Sequence, residues 1–305
     1  MTNRKVCIVG VGKIAHDQHV PAIDKSPDWE LAATVSRAGS VEGIPIFRDF
    51  DVMLEERPDI EMVSLCMPPM ARYQYARKAL LAGRHVMMEK PPGQTLAEVQ
   101  ALVGMAKEKG VALFATWHSR MGKGVAGAKA ALAGKEVTRG QITWKEDVRQ
   151  WHPGQEWVFE PGGMGVFDPG INALSILTEI LPEPVHVTRA ELDFPEGRYT
   201  AIAARIEFSR GVSMDLDWLQ KGDPSWDIEV ETAEGTRVVL KFGGNELWVD
   251  GEKMPGAEIE EYPALYARMA ELVDQRAIDV DLSPMTHVAD AMTLGKRLTV
   301  EPFSF

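Results

Sequence analysis

Val6-Cys7-Ile8-Val9-Gly10-Val11-Gly12-Lys13-Ile14-Ala15 is the stretch on which the fold turns. Its first four residues are an apolar run rich in β-branched side chains, the pattern of a buried strand. The next six fit G-x-G-x-x-A, and the segment from Ile14 to about Lys25 then reads as a helix. Each small residue has a physical task in such a strand, turn and helix. Gly10 permits the tight turn, Gly12 lets the backbone approach a pyrophosphate, and Ala15 lets helix and strand pack closely. N–H groups at the start of the helix are available to hold an anion. Gly10, Gly12, Lys13 and Ile14 are therefore the expected contacts of a dinucleotide, and His16 and His19 are expected to flank that cofactor or solvent.

Outward from this turn the same rhythm continues to about residue 120. Leu31 to Val35 reads as a second strand, and Met62 to Cys66 as another, stopped by Pro68 and Pro69. Arg72 to Ala82 has helical character and is closed by Gly83 in the position of a C-terminal cap. His85 to Met88 is the next strand, Thr95-Leu96-Ala97-Glu98 has the spacing of a capping box, and Val111 to Ala115 follows a helix ending near Gly110. Strands alternating with helices build parallel βαβ units, so residues 1–120 are expected to form a doubly wound Rossmann sheet. Ligands bind at the carboxyl ends of such strands. Ser36-Arg37, Cys66, Pro68, Glu89 and Lys90 all stand at those ends. At the second strand a carboxylate would repel a ribose 2′-phosphate, whereas a hydroxyl and a guanidinium can bind one, so Ser36 and Arg37 favour NADP, with use of NAD as well left open. Lys90 precedes Pro91-Pro92, which stiffen its loop, and that raises it to a functional candidate.

Beyond residue 120 the strand-like stretches crowd together: Gln141 to Val148, Val185 to Leu192, Ile202 to Phe208, Val212 to Trp218, Trp226 to Thr232, Arg237 to Leu240 and Leu247 to Val249. Gly211, Gly235 and Asp250-Gly251 mark hairpin turns. Residues 121–305 are thus expected to form an α+β domain with a mostly antiparallel open sheet, serving substrate binding and oligomerisation. Helices near Tyr262 to Gln275 and Met285 to Leu298 are expected to pack back on the first domain.

At Glu89-Lys90-Pro91 the chain resembles the Gfo/Idh/MocA family of oxidoreductases, a likeness that extends to Gly10 to Ala15 and to Gly162 through Asn172. Trp144-Lys145-Glu146-Asp147-Val148-Arg149, Trp151-His152-Pro153-Gly154 and Phe167-Asp168-Pro169-Gly170-Ile171-Asn172-Ala173 are similar to the bacterial L-arabinose / D-galactose 1-dehydrogenases. Ser36-Arg37 is likewise similar to the pair those enzymes use for NADP. The resemblance implies oxidation of an aldopyranose at C1 to the lactone, with Lys90, Asp168 and Asn172 as the catalytic group. The family pattern has a His where this chain has Asn172. An amide nitrogen accepts no proton, so the proton falls to Asp168 or Lys90. A hemiacetal hydroxyl is more acidic than an ordinary alcohol, and a weaker base then suffices. Glu146, His152 and His118 are candidates for sugar hydroxyls, and Trp151 and Trp226 for stacking on a pyranose.

Bulk properties narrow the alternatives. The 305 residues allow two domains. A formal charge of -12 disfavours nucleic acid and anionic membranes as partners. Cys7 and Cys66 sit in apolar runs without C-x-x-C spacing and read as reduced core residues. Neither a signal peptide nor a membrane span is read in the sequence, and a cytoplasmic protein is expected. H-E-x-x-H and paired-ligand spacings do not occur, so no metal is expected. The expected partner is a small sugar, with a homo-oligomer by analogy. Two other readings stay open: an oxidoreductase of the same fold acting on a ring hydroxyl of an inositol or dihydrodiol, and a non-catalytic dinucleotide-binding sugar sensor.

Overall fold

Seven strands of the computed structural model, which describes residues 3–305, form one wholly parallel sheet among those residues. They are β1 (Arg4–Val9), β2 (Trp29–Val35), β3 (Ile46–Phe47), β4 (Met62–Leu65), β5 (His85–Glu89) and β6 (Leu113–Thr116), with Ile278–Asp279 added beside β6. The spatial order from that edge is Ile278–Asp279, β6, β5, β4, β1, β2, β3. Strand order reverses between β1 and β4, and a reversal in a doubly wound sheet leaves a crevice at the carboxyl ends. This Rossmann sheet belongs to a compact unit running up to His118 and including Ile259–Leu282. Helices lie along the sheet, which is why its strands are near-continuous apolar runs rather than alternating ones.

Three local departures from the sequence expectation have physical causes. The first helix is wound as a π-turn over Ala15–His19, where the Val20 N–H reaches the Ala15 carbonyl, before it continues as Val20–Asp24. Pro21 has no N–H to donate one turn back, so a regular α-ladder cannot pass through it. The helix expected at Arg72 starts earlier, at Pro69, because proline's fixed φ suits the first helical position. At Thr95 the hydroxyl accepts from Glu98 N–H at 3.2 Å, while the Glu98 carboxylate takes the Gln94 N–H at 3.0 Å, one residue outside the expected capping box.

The second unit comprises Ser119–Glu258 and Ser283–Phe305. Its sheet contains β7 (Val137–Lys145), β8 (Val187–Pro195), β9 (Ala203–Phe208), β10 (Val212–Asp217), β11 (Ser225–Thr232), β12 (Arg237–Lys241), β13 (Glu246–Val249) and β14 (Glu252–Met254), with Lys296–Val300 beside β8. Pairing is antiparallel except between β7 and β10 and between β8 and Lys296–Val300. Both residues of Arg210-Gly211 and of Asp250-Gly251 have positive φ, the geometry that matches hairpin twist. Ile142, Trp144, Leu216 and Val230 point to one face and are buried. Burying each such side chain is worth about 1.5–3 kcal/mol.

The last expected helix needs correction. It runs only from Ser283 to Leu294 and lies in the second unit, whereas Glu261–Gln275 lies in the first. A Cβ at Gly295 would stand 2.4 Å from the Ala291 carbonyl oxygen and 2.8 Å from Leu192, so glycine lets the helix end close against β8. Lys296–Val300 then leaves as a strand. Among the described residues no helix is long and apolar enough to cross a membrane.

Candidate active site

Each unit carries one candidate centre. In the first, a cleft of about 580 Å³ opens at the strand ends around the sheet reversal. Gly10, Gly12, Ser36, Arg37, Cys66 and Pro68 line it, together with Gly39, Arg48, Met67 and Tyr75, which the sequence reading did not single out. Gly10 has φ +89°, and a Cβ there would lie 2.7 Å from the Met67 amide nitrogen. A Cβ on Gly12 would meet no atom of the chain within 4 Å. Gly10 thus serves the fold and Gly12 leaves room on the cleft side. No described lining residue is acidic. An open glycine turn, a cleft and guanidinium groups fit a phosphorylated dinucleotide. Lys13, exposed and paired with Asp17, is not among the lining residues, nor are Ile14, Glu89 and Lys90.

Behind the cleft, the end of β5 is held by a buried polar network. Glu89 is buried, and its Oε2 accepts the Lys90 N–H at 2.9 Å. Its Oε1 accepts from the Tyr262 hydroxyl at 2.9 Å and lies 3.1 Å from His19 Nε2. His19 Nδ1 pairs with the Tyr266 hydroxyl at 2.9 Å. His19 is therefore a core residue rather than one flanking cofactor or solvent. Burial alone would push the Glu89 carboxyl up, but the hydrogen bond and charge of His19, then His118 and Arg72, outweigh it and bring it down to about 2. Burial would likewise push His19 down, yet Cys66, Tyr266 and the Glu89 hydrogen bond hold it well above its usual range. The Arg72 guanidinium donates to the carbonyls of Met67, Glu89 and Pro91, which ties the cleft wall to the Lys90 loop. Nothing in the sequence pattern marks Arg72, since its role depends on two loops distant along the chain. His118 also belongs to this unit, with Nδ1 2.8 Å from Glu261 and its ring stacked on Tyr262.

The second centre forms where the helix Phe167–Ile180 meets β7, β10 and β11. A Cβ on Gly170 would lie 2.6 Å from Leu216, so this glycine seats the helix close against β10. Asp168 occupies the first turn of that helix, where the dipole favours a carboxylate. Its Oδ2 lies 3.3 Å from His152 Nε2, and His152 Nδ1 is 3.3 Å from Gln155 Oε1. Asn172 stands one turn beyond Asp168 and so shares its helix face. Glu146 is buried and accepts from the Trp226 indole at 2.8 Å and the Trp218 indole at 3.2 Å. Trp151, exposed, leans on Trp226 with ring centroids 5.4 Å apart. Trp218, in edge contact with His152 at 5.3 Å, was not singled out in the sequence. A carboxylate beside an imidazole can take and hold a proton, and the exposed indole of Trp151 can pack on an apolar sugar face.

Comparison with known proteins follows the same lines. The profile of the oxidoreductase family with an NAD-binding Rossmann fold (GFO_IDH_MocA) matches residues 4–116. The galactose 1-dehydrogenase of Pseudomonas fluorescens is 40% identical over 300 residues, 97% of each chain. The crystal structure of a D-galactose-1-dehydrogenase from Rhizobium etli superposes with a TM-score of 0.94 at 51% identity, covering 100% of this chain and 99% of that one. A 3-ketoreductase from Actinomadura kijaniata, solved with NADP and TDP-benzene, shares the fold at a TM-score of 0.80 and 16% identity, covering 98% of this chain and 100% of that one.

Proposed function

Because the chain belongs to the Gfo/Idh/MocA oxidoreductase family, we propose that it oxidises C1 of an aldopyranose, D-galactose or L-arabinose, to the lactone with NADP as electron acceptor. The observation that carries this reading is the Asp168 carboxylate 3.3 Å from His152, whose ring meets the Trp218 indole anchored on Glu146. A proton acceptor next to aromatic faces suits a sugar hemiacetal better than a charged or extended substrate. The glycine turn, Ser36 and Arg37 would hold the dinucleotide, and the cleft lined by those residues and Arg48, without an acid, supports NADP.

Bound NADP supplies the two-electron acceptor for the C1–H bond. The chain's own residues manage the proton and the sugar. Asp168 accepts the C1 hydroxyl proton and His152 orients the carboxylate. Asn172 orients a neighbouring hydroxyl without exchanging a proton. Trp226 and Trp151 pack against the pyranose. D-galactopyranose and L-arabinopyranose match at C2, C3 and C4, so one such pocket can take both.

Mixing the enzyme with NADP and either sugar, reading the reduced-nicotinamide absorbance and identifying the product, tests this. A lactone that opens to the aldonic acid supports anomeric oxidation. A keto-sugar would show ring-hydroxyl oxidation instead, and dinucleotide binding without turnover on any of these sugars would show a sensor.

A further inference from the structure

The end of the cleft beside β2 carries a second guanidinium. In the parallel pair of β2 and β3, Val35 lies opposite Phe47, so the chain leaves the two strands with Ser36 alongside Arg48. The Ser36 N–H donates to the Phe47 carbonyl at 3.1 Å, and Arg48 Nη1 donates to the Ser36 carbonyl at 2.6 Å. The Ser36 hydroxyl accepts the Gly39 N–H at 3.0 Å, which leaves its own hydrogen to donate. Ser36, Arg37, Gly39 and Arg48 all line the same cleft. Neither Arg37 nor Arg48 has a carboxylate partner among the described residues. Asp49, the acid next to Arg48, spends its side chain capping the helix Phe50–Glu56 through the Asp51 and Val52 N–H groups.

Two exposed guanidiniums that line one cleft without a counter-charge favour an anion there. A phosphate monoester offers the oxygens that planar guanidinium donors can grip bidentately. We propose that Arg48 is a specificity-determining residue of the cofactor site, anchored on the Ser36 carbonyl and paired with Arg37 to grip the 2′-phosphate. This rests on the NADP reading above. Arg48 fixes the Ser36 turn in the bound geometry and supplies the second positive charge.

Calorimetric titration of the full chain with NADPH and with NADH separates the possibilities, using wild type, Arg37→Ala, Arg48→Ala and Arg48→Gln. Wild type is expected to bind NADPH more tightly than NADH. Arg48→Ala is expected to weaken NADPH by about 10- to 100-fold, the scale of a charge-assisted hydrogen bond, and to leave NADH within about twofold. Arg48→Gln keeps a donor for the Ser36 carbonyl but no charge, and should lose most of the NADPH affinity that the alanine variant loses. Equal losses for both nucleotides would make Arg48 a structural prop and overturn the proposal. An unchanged NADPH affinity in Arg48→Ala, with preference lost in Arg37→Ala, would overturn it and leave the NADP reading standing. Equal wild-type affinity for both nucleotides would overturn both.

Discussion

Asp168 Oδ2 and His152 Nε2 stand 3.3 Å apart, although one begins a helix and the other follows a short helical turn sixteen residues earlier. If Asp168 is the proton acceptor, Asp168→Asn keeps the shape and removes the base. The expected loss in kcat/KM is about 10²- to 10⁴-fold, with the acidic limb of the pH–rate profile abolished. Steady-state kinetics across pH checks it. Near-normal turnover with an unchanged profile would transfer the role to Lys90.

Glu146 is the anchor of the aromatic wall rather than an isolated sugar ligand, because each of its oxygens already accepts an indole N–H. In Glu146→Gln one indole must face an amide donor. A buried donor left unsatisfied costs about 1–3 kcal/mol, which lowers Tm by several degrees in a domain of this size. Differential scanning calorimetry and KM for the sugar should move together.

The His19–Glu89 pair gives a pH signature of its own. Glu89 is depressed from 4.5 to about 2, so its contribution is complete above 4.5 and lost as pH falls toward 2. His19 is raised above 6.5, so its contribution is complete below 6.5 and lost as pH rises through its folded value. Both operate fully between those limits. Breaking a buried pair from one side costs about 3–5 kcal/mol. The Tm gap between wild type and Glu89→Gln should be widest near pH 5–6 and narrow on acidification. A gap independent of pH would mean that the pair is not ionised.

The two glycines of the first turn should separate fold from binding. Gly12→Ala meets open space and should leave Tm within about a degree or two, while weakening dinucleotide binding at least about tenfold where its methyl obstructs the pyrophosphate. Gly10→Ala, forced against Met67 at positive φ, should lower Tm itself. Thermal melts with and without NADPH read both effects.

The Rossmann half was legible because its signals are local: β-branched runs, Gly83 and Gly110 at positive φ after their helices, and Thr95 as an N-cap. Where Pro21 falls inside a helix, period alone could not foresee the π-turn. The expected helix ran on to Leu298, into the strand Lys296–Val300, because Leu298 follows Leu294 at helical spacing, although Gly295 marked the stop. Arg48, Arg72 and Trp218 went unmarked for a different reason. Their places are fixed by strand register and by contacts between distant segments, which no local pattern encodes.

Deuterium at C1 of D-galactose tests the whole account in one measurement. Oxidation at the anomeric carbon predicts transfer of the label to the nicotinamide of NADPH, a primary isotope effect on turnover, and unlabelled lactone or galactonate by NMR. Label retained at C1 in a product oxidised elsewhere on the ring would contradict it.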